Sequence, residues 1–451
     1  MADVRPFPAI RYAPGEDLAA LVTPPYDVIS PAAQARYYER SPHNIIRLEL
    51  GREEPGDDEL NNPYTHAAAT FADWRLHGVL RQDAPALYLY EQTFDVEGRD
   101  YTRTSLLARV RLEPWEARVI LPHERTMSKP KEDRLRLMRA TAANLSPLMA
   151  LYDDPAGELA KLLAPARAAQ PDAAFVDEAG EGHHLWMLRG AVLAEAVVAF
   201  FRERQLYIAD GHHRYETCLA YRDEQAALRK EALPPDDALN FTLMALSAIE
   251  DPGLVVLPTH RLLRDLDAMR LSALDERLRP YFSTRDLSDA VGAKVLSGGP
   301  SSGRPDAALA ALAVESAAGH VAFALVQSEG ARLLVLNDAG REARAQLGGE
   351  YAAASPAWRA LDLAALHALV LDQALGITPE MVRAGEHVSY TRDAAEAVAV
   401  VRAGQADAAL LVAPTPPEAV RDVARAGDRM PQKSTYFYPK LITGLTINPL
   451  W

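Results

Sequence analysis

The densest run of chemically capable side chains in the sequence is Leu206-Tyr207-Ile208-Ala209-Asp210-Gly211-His212-His213-Arg214-Tyr215. It reads as an apolar strand, a glycine turn and the start of a helix. Such a junction gathers unpaired backbone N–H groups and the positive end of the helix dipole at one point, which suits an anion. His213 and Arg214 place cationic side chains in a first helical turn, where Asp or Glu is normally preferred. A phosphate held between them and the backbone resolves that conflict. Gly211, His213 and Arg214 are therefore read as phosphate-binding, and Asp210, His212 and His213 as catalytic candidates. His212 and His213 are adjacent and diverge by about 100° on a helix, which disfavours a dedicated zinc site. Mg²⁺ held by Asp210 together with substrate phosphates is the better metal expectation, because Mg²⁺ takes few protein carboxylates.

A second cluster runs from His123 through Glu124, Arg125, Thr126, Met127, Ser128, Lys129, Pro130 and Lys131 to Arg134. Small hydroxyl donors beside cations around a stiff proline form a second phosphate clamp, assigned to His123, Arg125, Thr126, Ser128, Lys129 and Lys131. Pro24-Pro25-Tyr26-Asp27 is a rigid loop presenting an acid, so Asp27 is a candidate base and Tyr26 a substrate contact. Asn44 and Arg47 are expected to line the same cleft. His260 follows an apolar strand directly and is a further substrate contact. His183, His184 and His367 are expected to be structural, and Cys218, amid apolar helix residues, inert.

The elements that must carry these groups alternate along the chain. Ser30 caps a helix with Pro31 in its first turn, running to Arg40. His43 to Leu50 alternates like a strand, and Tyr64 to Leu80 reads as an amphipathic helix. Leu87–Asp95 and Tyr101–Leu112 form a hairpin, and a helix runs from Pro130 to Thr141. Leu148–Tyr152, Leu206–Ala209 and Phe241–Ser247 are strands, and Arg214 to Leu233 is a helix. Beyond about Arg264 the composition turns to Ala, Leu and Val, with a helix Leu363–Leu375 stopped by Gly376, a strand Ala408–Val412 and a loop at Gly298–Gly303. The shift divides the chain into residues 1–263, which carry the phosphate site, and 264–451, an α/β accessory domain whose aromatic and basic tail, Lys433 to Lys440, packs back on that site.

The 451 residues suit more than one core. Lys and Arg number 48 against 62 Asp and Glu, a formal charge of -14 that speaks against nucleic acid and anionic membrane as partners. A single cysteine excludes an internal disulfide. No apolar run reaches the ~20 residues of a membrane helix, and the first residues lack a secretory pattern, so the expectation is a cytoplasmic protein with room for homo-oligomers. No Walker-type or kinase motif set occurs.

Pro24-Pro25-Tyr26-Asp27-Val28-Ile29, His43-Asn44-Ile45-Ile46-Arg47-Leu48, His123-Glu124-Arg125-Thr126, Ala209–Tyr215 and Lys433–Lys440 together resemble the motifs of the family called domain of unknown function 1015, over nearly the whole chain. Gly211-His212-His213-Arg214 is more distantly similar to the phosphate-binding turn of the ParB and sulfiredoxin superfamily. That resemblance implies an α+β fold with a mixed-sheet, ParB/sulfiredoxin-like domain, and a nucleotide whose phosphates rest on the turn with Arg214. Sulfiredoxins carry a reactive Cys at the place of His212, so their redox chemistry is not implied. The Asp-Gly-His-His-Arg turn looks closest to the free serine kinases of that superfamily. The resulting expectation is a nucleotide-dependent phosphotransferase acting on a small hydroxyl metabolite such as serine, with ATP or ADP as donor and Mg²⁺ as cofactor. The alternatives are a nucleotide-gated binding or scaffold protein and a small-molecule phosphatase using the same anion site.

Overall fold

The computed structural model describes residues 1–126, 128–230, 232–287 and 305–451, without the side chains of residues 128–130 and 350. The Gly298–Gly303 loop and the side chains of Ser128 and Lys129 thus lie outside the described residues. The fold is α+β, and the chain divides into two compact units, Met1–Val255 with Pro439–Trp451, and Val256–Tyr438. The division falls before the expected residue 263 because His260–Leu263 pairs with Val388–Thr391 and Ala408–Val412 in the second unit's own sheet.

Among the described residues the first unit is built on a nine-stranded sheet. Its strands are β1 (Val4–Arg5), β2 (Leu87–Val96), β3 (Arg99–Arg111), β4 (Ile120–Leu121), β5 (Leu148–Tyr152), β6 (Ala173–Val176), β7 (Gly182–Leu188), β8 (Leu206–Asp210) and β9 (Phe241–Ala248). They run in the order β4-β8-β5-β9-β3-β2-β7-β6, with β1 on β3. The sheet is mixed: β8 with β4 and β9 with β5 are parallel, the other pairs antiparallel. The β2–β3 hairpin turns at Glu97 and Gly98, both at positive φ (55° and 79°), as a two-residue turn matched to strand twist requires.

Alternation along the central strands sends Leu148, Ala150, Leu206, Ile208, Met244 and Leu246 to one face. Tyr215 and Cys218 of the long helix His212–Arg229 complete that core. A smaller core joins Ile45, Leu48, Phe71, Trp74, Leu137 and Ile447. It ties together the helices Ile46–Glu49, Pro63–Leu76 and Ser128–Thr141. Here His43–Leu50 departs from the expected strand. Asn44 Oδ1 accepts the N–H of Ile46 (2.9 Å) and starts a helical turn, and Ile45, Ile46, Leu48 and Glu49 are all buried, which strand alternation does not allow.

The second unit holds a six-stranded sheet among the described residues, antiparallel at every pair, with β10 (His260–Leu263) between β14 (Val388–Thr391) and β15 (Ala408–Val412). The rest of the order runs from β15 through β12 (Ala322–Gln327) and β13 (Gly330–Leu336) to β11 (Phe282–Asp286). The helices Asp306–Ala317 and Ala394–Arg402 cover one face through Ala308, Leu312, Ala397 and Val401. The expected helix at Leu363–Leu375 is α-helical at Asp362–Ala365 and then widens to a π-helix over Leu366–Ala374.

Candidate functional site

Strand β8 carries a bulge between Ile208 and Asp210 against β5, which re-aims the last strand residue, Asp210. Gly211 follows at φ 93°, and a Cβ there would lie 2.5 Å from Leu148 Cδ2, so only glycine fits. The helix beginning at His212 has no acid in its first turn. No side chain caps it, unlike the helix at Pro31, where Ser30 accepts from Ala33.

Asp210 is held between two cations: Lys440 Nζ donates to Oδ1, and Arg214 Nη2 to Oδ2 at 2.8 Å. Burial alone would raise the carboxyl pKa, but the charges of Lys440 and Arg214 outweigh it and hold the group well below the usual carboxylate range. The expectation of Mg²⁺ on Asp210 does not fit this arrangement, since both oxygens already face cations and a metal ion would have to displace one. Lys440 is delivered by the hairpin. Gln92 of β2 and Arg103 of β3 are register partners. Gln92 Nε2 donates to the Lys440 carbonyl (3.1 Å), and Arg103 Nη2 to the Pro439 carbonyl (2.7 Å) and to Gln92 Oε1. Arg103 is fully buried, and burial pulls its pKa down to about 10.

From Arg214 a hydrogen-bonded chain runs on. Its Nη1 donates to Ser146 Oγ (3.0 Å) and the Pro147 carbonyl (2.8 Å), and Ser146 Oγ donates to Glu49 Oε1 (3.1 Å). Arg134 donates to the Glu49 carbonyl (2.9 Å), approaches its carboxylate at 3.5 Å, and lies 4.1 Å over the Tyr26 ring. Burial raises the Glu49 pKa, with Arg134 and Arg214 opposing. Tyr26 is also raised by burial, again opposed by Arg214 and Arg134. Asp27 sits exposed beside this chain, near enough to act electrostatically on both Arg214 and Glu49. A cavity of about 40 Å³ lies against Glu49, Arg134, Ser146, Arg214 and Cys218, room for water and too small for a nucleotide. Cys218 is buried, its thiol pushed up to about 11 by burial.

The clamp cluster is arranged differently from its sequence reading. Lys131 Nζ (2.9 Å) and Thr126 Oγ1 (2.6 Å) both donate to Glu216 Oε2, one turn into the His212 helix. Burial would raise Glu216, and these two donors overcome it and lower its pKa. Lys131 and Thr126 thus tie their segment to the helix. Arg125 is exposed. His123 and His212 are buried with rings edge to face at 4.7 Å. His123 Nδ1 meets the Ile208 carbonyl (2.7 Å), and the His123 backbone N–H donates to His212 Nε2 (3.3 Å). A neutral His212 therefore carries its proton on Nδ1, 3.8 Å from Glu124. His213 is partly exposed, and its carbonyl accepts from Thr217 Oγ1 (2.8 Å).

Asn44 spends both ends of its amide on backbone, at Ala20 O (2.8 Å) and Ile46 N–H. Arg47 donates to the Tyr38 carbonyl (3.0 Å) and lies over that ring at 4.5 Å. His260 belongs to the second unit, buried in β10, where its Nδ1 accepts from Val412 N–H (3.2 Å). The groups brought together around Asp210 are thus Tyr26, Asp27, Arg134, Gly211 and Arg214 from the sequence reading, with Glu49, Gln92, Arg103, Ser146 and Lys440 added by the fold. Lys440 had a signal, its place in the basic aromatic tail, whereas Gln92, Arg103 and Ser146 had none.

Residues 4–364 match the family described as "Protein of unknown function (DUF1015)", and the chain belongs to it. No curated protein matches. Among solved structures, a conserved hypothetical protein from Pyrococcus furiosus is 13% identical, covering 77% of this chain and 95% of its own, with a TM-score of 0.32. A free serine kinase in complex with AMP is 13% identical over 74% of this chain and 86% of its own, with a TM-score of 0.33. SbnI with C-terminal truncation from Staphylococcus aureus is 10% identical over 76% and 87%, also at 0.33. Likenesses of this size do not extend to shared chemistry.

Proposed function

We propose that this member of the DUF1015 family is a nucleotide-dependent phosphotransferase that phosphorylates the hydroxyl of a small metabolite, with serine as the candidate acceptor and ATP or ADP as the donor. The observation that carries the reading is the uncapped start of the 18-residue helix at Gly211, behind a buried strand and next to Lys440 and Arg214. Such a start offers backbone donors and a dipole to a phosphate. The similarity of Gly211–Arg214 to the superfamily turn supplies the nucleotide. Phosphoryl transfer asks mainly for positioning and charge neutralisation.

In the transfer the acceptor hydroxyl oxygen attacks the terminal phosphorus, the bond to the bridging nucleotide oxygen breaks, and its electron pair leaves with the nucleotide. The hydroxyl proton goes to Asp27, a carboxylate on a short turn whose neighbour Tyr26 is pinned under Arg134. Glu49 acts as a positioning residue through Arg134 and Ser146. Incubating the protein with ATP, ADP or CTP against serine and a panel of amino acids and sugars tests the reading. Nucleotide loss that requires an acceptor supports it. Phosphate release without acceptor would indicate a phosphatase, and saturable binding without turnover a switch; either result overturns it.

A further inference from the structure

The second unit buries a cation for which the described residues supply no counter-charge. Arg261 on β10 is fully buried. Its Nη1 donates to the Thr259 carbonyl, its Nη2 reaches the carbonyls of Gln432 and Lys433 only at 3.5 and 3.4 Å, and its Nε is buried without an acceptor. The neighbour that favours its charge is the phenol of Tyr390, its cross-strand partner, whose ring centre lies 5.6 Å from the guanidinium carbon. Burial lowers the Arg261 pKa to about 10, which still leaves it a cation at neutral pH. A buried charge facing only carbonyl dipoles is costly, and proteins ordinarily pair it.

Two more polar atoms in the same neighbourhood are buried without partners, Tyr390 Oη and His367 Nε2. His367 is the second residue of the π-helical stretch, a geometry frequent at functional sites. It lies close enough to Arg261 that the guanidinium, after burial, helps keep its imidazole neutral. A neutral imidazole can present an N–H at Nε2. Gln432 Oε1 is likewise buried without a donor. Arg261 Nε, Tyr390 Oη and His367 Nε2 can thus each donate and have no partner, outnumbering the unpaired acceptor Gln432 Oε1 beside them.

We propose that Arg261, Tyr390 and His367 form a binding site for a small oxyanion, the carboxylate or phosphate group of a metabolite. The guanidinium supplies the charge and a planar fork suited to two oxygens, and the phenol and imidazole supply the remaining hydrogen bonds. The site uses second-unit residues that the phosphoryl-transfer reading leaves idle, so the two proposals stand or fall separately.

Titration calorimetry on the full chain, with inorganic phosphate and separately with malonate, tests it in the wild type, in Lys440→Met as a control for the first unit, and in Arg261→Gln and Tyr390→Phe, each added to Lys440→Met. Saturable binding of at least one anion is expected to persist in Lys440→Met, which impairs the first unit's phosphate site, and to weaken ~10-fold or more when Arg261→Gln is introduced in that background. Tyr390→Phe, which removes one oxygen, should weaken it several-fold and decides the matter if circular dichroism shows Arg261→Gln unfolded. Binding of phosphate alone would identify the group as a phosphate, and of malonate alone as a carboxylate. No saturable binding of either anion, or binding unchanged in folded Arg261→Gln, overturns the proposal, as does binding unchanged in Tyr390→Phe where Arg261→Gln does not fold.

Discussion

Asp210 in the first unit and Arg261 in the second are both charged groups on sheet strands, and their surroundings treat the charge in opposite ways. Asp210 has Lys440 and Arg214 on its two oxygens, and its ionisation is favoured despite burial. Arg261 has carbonyl oxygens and a phenol, and its ionisation is disfavoured by burial. The lesson is that the two charges serve different ends. A carboxylate neutralised from within the fold is part of a framework, and it fixes Lys440 and Arg214 beside an anion-ready helix start. A guanidinium left without a counter-charge is open to one from outside.

The comparison breaks most visibly if the Asp210 charge is removed. Asp210→Asn leaves Lys440 and Arg214 facing each other without an anion, and should cost ~3–5 kcal/mol in urea unfolding of the full chain. A loss below 1 kcal/mol would show that the pair is not a framework element. The second expectation concerns pH and the neighbour of Arg261. His260 is held neutral by burial and by Arg261, its pKa lowered to about 4 from the ordinary 6.5. The unfolded chain therefore binds a proton that the native chain refuses, so the penalty is absent above pH 6.5, grows as pH falls, and is complete near pH 4, at ~3 kcal/mol. His260→Gln should reduce the slope of stability across that window, the remainder coming from the buried His367, and an unchanged slope would contradict it. The smallest effect is expected from Arg261→Gln without added anion, below ~1 kcal/mol, because removing an uncompensated charge offsets the lost carbonyl contacts. A loss as large as that of Asp210→Asn would make Arg261 a framework residue like Asp210.

What the sequence reveals and conceals follows the same division between local and distant. The strand, glycine and helix at 206–229 were legible because apolar run, turn residue and helical period lie within one local stretch. The Ser30 cap before Pro31 was legible for the same reason. The turn at His43–Leu50 was not, since its alternation mimics a strand and the deciding contacts, Asn44 to Ala20 and Glu49 to Ser146, come from elsewhere in the chain. The clamp reading of Lys131 fails to foresee Glu216, 85 residues away, which engages its ammonium. The positioning of Lys440 rests on Arg103 and Gln92, more than 300 residues distant, and no periodicity marks such a partnership.

The central claim is that the Gly211 turn holds a nucleotide whose phosphoryl group passes to a hydroxyl deprotonated by Asp27. Its most direct test measures nucleotide affinity and acceptor-dependent turnover side by side in the wild type and in Asp27→Asn, whose exposed side chain the fold does not need. The account expects equal nucleotide affinity in the two proteins and turnover lower by ~10²-fold or more in the variant. Full turnover in Asp27→Asn, or a wild type that consumes no nucleotide with any acceptor, would contradict it.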